Sequence, residues 1–250
     1  MIQISNILDF LNTCCPFELA EDWDNCGLNV GRHNSEVKKI LLAMDVTDES
    51  IDTAKKLGCD LLLTHHPLLF DAPKQINDSS FNGRYILKLA ESGIAHIACH
   101  TNLDAAEGGI NDILASLCDM QEKEHFEGLG RMGKIPHTAT ALAALLKERL
   151  PAKTCLGVLD HETIGKAAIV GGSGGSLLED AYNAGCDTFI TGEAKHHHAL
   201  QARDLQMNLL VFGHYETEYI VLSPLKEALN EAFPQVECFV LPYKAAMEQL

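Results

Sequence analysis

Basic residues are scarce in this chain, tryptophan occurs once, and no apolar run approaches membrane length. Nineteen lysines and arginines face 35 aspartates and glutamates, a formal net charge of -16 over 250 residues. That balance opposes the counterion release on which nucleic-acid affinity rests, so nucleic acid is disfavoured as a partner. No uncharged stretch reaches the roughly 20 residues a bilayer span requires. Asp9 falls where a secretory signal would be most apolar, so the expected address is the cytoplasm, with no membrane partner. Nine cysteines are present but none in a Cys-x-x-Cys spacing, and an odd count in a reducing compartment argues against a disulfide framework.

The 46% hydrophobic content is enough for a proper core. Apolar spacing predicts a helix over Ile4 to Cys14, then a buried strand from Lys39 to Val46 and a helix from Asp48 to Leu57 capped by Gly58. The strand Asp60 to Thr64 follows, then a turn-rich loop, a helix from Tyr85 to Ser92 and a strand from Ile94 to Cys99. Strands alternating with helices are the grammar of a parallel α/β sheet. The same alternation returns later: strand Lys166 to Val170, helix Ser176 to Ala184, strand Cys186 to Thr191, helix Lys195 to Asp204 and strand Asn208 to Phe212. A helix over His137 to Leu150 precedes them, and a long helix from Glu216 to Ala232 and a strand from Val236 to Leu241 close the chain. Trp23 to Gly31 and Gly128 to Gly133 read as packed, glycine-bearing loops.

Ile40 to Asp60 aligns without gaps on Ala167 to Asp187, setting Gly58-Cys59-Asp60 against Gly185-Cys186-Asp187 and Thr64 against Thr191. His100-x-x-x-Asp104 then matches His214-x-x-x-Glu218, and His196-His197-His198 falls opposite the His65-His66 region. The fold class is therefore α/β, two related α/β domains made by internal duplication, with a metal site in the cleft between them. The boundaries expected are 1–125 and 126–250, with the C-terminal segment a candidate to continue the first domain. In parallel α/β sheets ligands bind beyond the carboxyl ends of the strands, where all these polar residues fall.

A buried strand has no structural use for two adjacent imidazoles at its tip, so His65 and His66, held by Pro67, are read as metal ligands. Their side chains leave the strand in different directions, which suits two ions better than one. His214 and Glu218, at i and i+4 of a helix, can reach a single ion together, and Asp104 or Glu218 could bridge ions about 3.5 to 4 Å apart. The candidate set is His65, His66, Asp104, His214 and Glu218. Mixed imidazole and carboxylate ligation fits zinc, manganese, iron, cobalt or nickel rather than calcium or magnesium. His196 to His198 are expected mostly in solvent, and His33, His125, His137 and His161 are read as surface residues. Gly171 to Ser176 fits neither the Walker nor the dinucleotide pattern and reads as a strand-to-helix turn, with phosphate binding open at the helix start.

The chain resembles the Nif-three-like family, often labelled GTP cyclohydrolase I type II homologues. The resemblance runs through Trp23-Asp24-Asn25-x-Gly27-Leu28-x-Val30-Gly31, Thr64-His65-His66-Pro67, His100-Thr101-Asn102-Leu103-Asp104, Gly128-x-Gly130-Arg131-x-Gly133, Thr191-Gly192-Glu193 and Gly213-His214-x-x-Thr217-Glu218. It implies a dinuclear metal centre between two related domains, two divalent ions per subunit, the same five ligands with Glu218 touching both ions, and a ring-shaped homohexamer. Two readings of function follow. One is a metal-dependent hydrolase of a small-molecule substrate, a nucleotide or phosphoester, in which His100 transfers protons or else orients Asp104. The other is a non-enzymatic, metal-stabilised scaffold or regulatory interaction protein.

Overall fold

The structure, a computed structural model, describes residues 1–71 and 73–244. It contains two compact units. The first comprises Met1–Ala106 and Leu222–Pro242; the second comprises Glu107–Val221 with the described part of the terminus from Tyr243.

The first unit is built on a five-stranded sheet in which β2 (Lys39–Ala43), β3 (Leu61–Thr64) and β4 (Ala95–Ala98) run parallel, β1 (Gly27–Val30) pairs antiparallel with β4, and β11 (Glu237–Val240) pairs parallel with β2. The central strands are apolar at nearly every position because they are buried on both faces. Helices α1 (Ile4–Cys14), α2 (Asp48–Leu57), α3 (Phe81–Ser92), the short α4 (Thr101–Ala105) and α10 (Leu222–Ala232) accompany the sheet. α2 begins in a capping box, Thr47 accepting from the Ser50 amide while the Ser50 hydroxyl accepts from the Thr47 amide, and ends at left-handed Gly58. Leu41, Ile51, Leu62 and Leu89 pack into one core cluster, where truncating a leucine to alanine costs about 2–5 kcal/mol.

The second unit holds a six-stranded sheet in the order β5 (Gln121–Phe126), β6 (Gly130–Lys134), β8 (Lys166–Val170), β9 (Thr188–Thr191), β10 (Asn208–Val211) and β7 (Leu156–Val158). Strands β8, β9 and β10 are parallel, and β5, β6 and β7 run antiparallel to their neighbours. Its helices are α5 (Ile110–Leu117), α6 (Ala139–Arg149), α7 (Leu178–Asn183), α8 (His196–Asp204) and α9 (His214–Glu218). Phe189 centres the core, edge-to-face with Phe126 at 6.4 Å. Arg131 is fully buried and ion-paired through Nε to Asp112 at 2.7 Å, with Lys123 on the same carboxylate oxygen. The boundary expected after residue 125 and the division at Ala106 differ because α5 packs on β6 and β8.

The two units repeat one plan. In each, a run of three consecutive parallel strands, β2-β3-β4 and β8-β9-β10, is followed by an antiparallel edge strand, β1 beside β4 and β7 beside β10, and the first unit adds parallel β11 at the other side. The repeat extends to individual hydrogen bonds. Lys39 Nζ donates to the Leu57 carbonyl at 3.3 Å, and Lys166 Nζ to the Ala184 carbonyl at 3.4 Å. The Asp60 carboxylate accepts from the Lys38 amide, and Asp187 from the Gly165 amide, each at 2.7 Å. Gly58 and Gly185 are both left-handed, followed by buried Cys59 and Cys186.

Several expectations need correction. The Trp23 to Gly31 stretch contains strand β1, and Gly128 to Gly133 is the turn and most of the second strand, β6, of a β-hairpin. That hairpin escapes periodicity because β5 is exposed at five of its six positions. The single helix expected over Glu216 to Ala232 is α9, a 3-10 turn at Tyr219–Val221, and α10. Pro224 explains the interruption: it has no amide hydrogen to bond back to the preceding turn, and its ring crowds that turn's carbonyl. Among the described residues, no helix is long and apolar enough to cross a membrane.

Candidate metal centre

At the end of β3 the backbone ladder continues for two residues, the His65 amide donating to Ala43 at 3.2 Å and the His66 amide to Met44 at 2.9 Å. Both imidazoles therefore leave from a rigid edge rather than a loop. His65 is buried, and its Nδ1 lies 2.9 Å from the Cys99 carbonyl oxygen. A carbonyl can only accept, so Nδ1 carries the proton and Nε2 keeps its lone pair. His66 Nδ1 is 2.8 Å from the Asp45 carboxylate, and His100 Nδ1 is 2.9 Å from that of Asp24. All three rings share the arrangement seen around metal-binding histidines, an outer oxygen holding Nδ1 and so fixing the ring's orientation. One ring nitrogen from each of His65, His66 and His100 lies within 4.8 Å of the others. Asp104, on α4, places Oδ1 3.9 Å from His65 Nε2.

Asp24 is the anchor on this side. Besides His100 it accepts from the Thr101 amide at 3.0 Å and the Thr101 hydroxyl at 2.5 Å. Burial pushes its carboxyl up, but hydrogen bonds from His100 and Thr101, together with electrostatic attraction to the His100 ring, outweigh that and hold it well below the usual carboxylate range. It stays ionised as the acceptor His100 requires.

In the second unit, His214 and Glu218 occupy one turn of α9, with Nε2 and Oε2 3.1 Å apart, and Glu193 Oε2 lies 3.3 Å from His214 Nδ1. Glu218 is buried. Its carboxylate lies against Gly172, whose φ is +58°: a Cβ there would stand 2.0 Å from Glu218 Oε1 and 3.4 Å from His214 Nε2. The Gly172 amide is tied to Thr217 Oγ1 at 3.0 Å, so the glycine backbone is fastened to the helix that carries both side chains. Imidazole nitrogens and carboxylate oxygens in these two clusters are the donors a divalent transition metal takes, and groups among them could hold a metal ion.

Two sequence expectations change. His100 does not correspond to His214. Ala98 pairs with Thr64 as Val211 pairs with Thr191, which sets His100 opposite Gly213 and Asp104 opposite Thr217. The equal spacing from histidine to carboxylate is therefore offset by one residue between the halves. By the same register, His65 and His66 fall opposite Gly192 and Glu193, and His196 to His198 lie beyond them on α8. His196 and His197 are exposed, whereas His198 is buried and caps the helix, Nδ1 accepting from the Lys195 amide at 3.1 Å. The open phosphate reading at Gly171 to Ser176 meets only the six-residue α7, and the glycines there contact Thr191, Glu218 and His198 instead. His137 bonds to the Asp119 carboxylate and His161 to the nearby Thr163 carbonyl, and both rings are partly buried.

Sequence reasoning missed Asp24, Asp45, Glu193 and Gly172. Asp45 was findable, since it directly follows the apolar run of β2 at the strand end where ligands gather. Asp24 carries no such signal, because its role depends on contacts with residues more than seventy positions away.

The profile of the Duf34/NIF3 (NGG1p interacting factor 3) family matches residues 2–246. A Clostridium perfringens protein named GTP cyclohydrolase 1 type 2 homolog is 34% identical, covering 98% of this chain and 97% of its own. A Helicobacter pylori protein named GTP cyclohydrolase 1 type 2 is 33% identical over 87% of this chain and 88% of its own. The crystal structure of the Staphylococcus aureus hypothetical protein SA1388 superimposes with a TM-score of 0.90 at 27% identity, covering 99% of both chains.

Proposed function

The chain belongs to the Duf34/NIF3 family, and from that premise we propose that it is a dinuclear, divalent-metal-dependent hydrolase of a nucleotide or phosphoester. His65, His66 and Asp104 from the first unit and His214 and Glu218 from the second would hold the two ions, Glu218 touching both. The ions are zinc, manganese, iron, cobalt or nickel, on the chemistry of the donor set. Bound there, they would supply an acidified water and a Lewis acid for the substrate oxygen. The protein's own part is positional. Cys99, Asp45 and Glu193 orient the imidazoles of His65, His66 and His214, and Asp24 holds His100 with Nε2 available to take a proton from water and return it to the leaving group. The assembly is proposed as a ring-shaped homohexamer.

The observation that carries this reading is the shared Nδ1 bonding of His65, His66 and His100. Three neighbouring imidazoles fixed in one tautomer serve ligation and proton transfer, and have no packing purpose. The test is hydrolysis of GTP and of a chromogenic phosphodiester by metal-reconstituted protein, with Asp104→Ala and chelated protein as comparisons. Turnover lost in both comparisons supports the proposal. Equal rates in all three samples sink it, and a metal-dependent melting temperature without turnover on either substrate favours the scaffold reading.

A further inference from the structure

Trp23 and Phe70 are large aromatic side chains with 59% and 49% of their surface exposed. Their rings are nearly parallel, 22° apart with centroids at 6.4 Å, and each meets His100 edge-on, at 5.8 Å from Trp23 and 5.6 Å from Phe70. His100 in turn contacts His65 at 5.0 Å and His66 at 5.4 Å. The aromatic pair therefore stands one imidazole away from the ligand cluster.

The segments carrying these rings are fastened down although the rings themselves are in water. Asp24, next to the tryptophan, is bonded to His100 and Thr101, and Asn25 Nδ2 donates to the Leu69 carbonyl at 2.5 Å, joining one ring's segment to the other's. Leaving a tryptophan more than half exposed forgoes hydrophobic burial that a core position would give it. The chain spends its single tryptophan here rather than in either core. Flat, rigid, exposed rings beside convergent polar groups are the usual makings of a ligand wall.

We infer that Trp23 and Phe70 form the recognition wall for a planar heteroaromatic ring, a nucleobase in chemical class, held against the metal-binding cluster. This rests on the proposed metal-dependent activity and specifies its substrate class. Near-parallel rings suit a flat ligand better than a branched aliphatic one. A net charge of -16 opposes recognition built chiefly on phosphate, whereas stacking is indifferent to that charge.

Because Trp23 is the only tryptophan, its fluorescence reports on this wall alone. The experiment titrates the protein with guanosine, GTP and inorganic tripolyphosphate, in metal-loaded and chelator-treated samples, with metal content measured for each. Guanosine and GTP are expected to quench the emission and tripolyphosphate to leave it unchanged. By calorimetry, Phe70→Ala and Trp23→Ala should each weaken guanosine binding about tenfold, and Trp23→Phe, which keeps a ring, by about threefold or less. Equal quenching by tripolyphosphate, unaltered affinity in both alanine variants, or no binding of guanosine to wild type overturns the inference. If the alanine variants change only the native mass, the wall is an interface between copies and the inference fails. Wild-type protein that takes up no metal defeats the metal-centre reading separately, and the titration of chelated protein still decides this one.

Discussion

Gly172→Ala is a small substitution with a consequence that can be worked out from the geometry. The added Cβ would lie 2.0 Å from Glu218 Oε1, where real contacts essentially never fall below 3.0 Å, so the carboxylate must retreat by at least about 1 Å. Ligand distances in metal sites tolerate only about 0.2 Å. A further cost comes from the backbone, since φ at +58° is left-handed and strains an L residue by roughly 1–2 kcal/mol. Metal affinity should therefore fall by at least roughly 10- to 100-fold, the loss typical when a ligand's support is removed. Folding stability measured in chelator should fall by only about 1–3 kcal/mol. Gly58→Ala separates the two effects, because Gly58 is also left-handed but a Cβ there meets nothing within 4 Å. The assay is competition for zinc against a chromophoric chelator, with urea unfolding alongside. Wild-type zinc affinity in Gly172→Ala, or an equal loss in Gly58→Ala, would refute the reasoning.

Asp45→Ala removes the acceptor that orients His66 and should weaken metal binding by roughly 10-fold or more with little effect on urea stability; unchanged affinity in the same competition assay counts against the orienting role. Arg131→Met leaves Asp112 with Lys123 and the Gly108 amide and should destabilise the protein by about 1–3 kcal/mol in urea, the cost of losing a buried charge-assisted hydrogen bond, and unchanged stability would contradict it. His96 is buried against Thr64, and burial pushes its pKa down from 6.5 to about 3. The unfolded chain thus takes up this proton below pH 6.5 while the folded chain refuses it until about pH 3, so stability is full above 6.5 and lost as the pH falls between those values. His96→Gln should lower the slope of stability against pH by about 1.4 kcal/mol per unit between pH 6 and 4, and an unchanged slope in urea titrations at those pH values rules this out.

The parallel core was legible because its strands are apolar runs bounded by glycine and polar turns, and α2 could be placed to the residue from Asp48 and Gly58. The duplication was legible through Gly58-Cys59-Asp60 and Gly185-Cys186-Asp187, whose repeated amide-to-carboxylate bonds explain why that triplet recurs. Antiparallel additions were not legible. β5 is too charged to show a period, and β7 is only three residues long. For the proposed site, the candidates His65, His66, Asp104, His214 and Glu218 could be singled out by residue type and position. Their supports could not, because Asp24 and Gly172 act through contacts that only the folded chain creates. The false equation of His100 with His214 arose because equal spacing along a chain is not equal register in a sheet, and only the strand pairing tells them apart.

The most direct test is anomalous diffraction at the zinc edge from crystals grown in a slight excess of zinc. Two peaks per chain, each coordinated by members of the set His65, His66, Asp104, His214 and Glu218 with Glu218 between them, is the result predicted. A map with no peak at these residues, or with ions bound elsewhere while these side chains remain uncoordinated, would contradict the account.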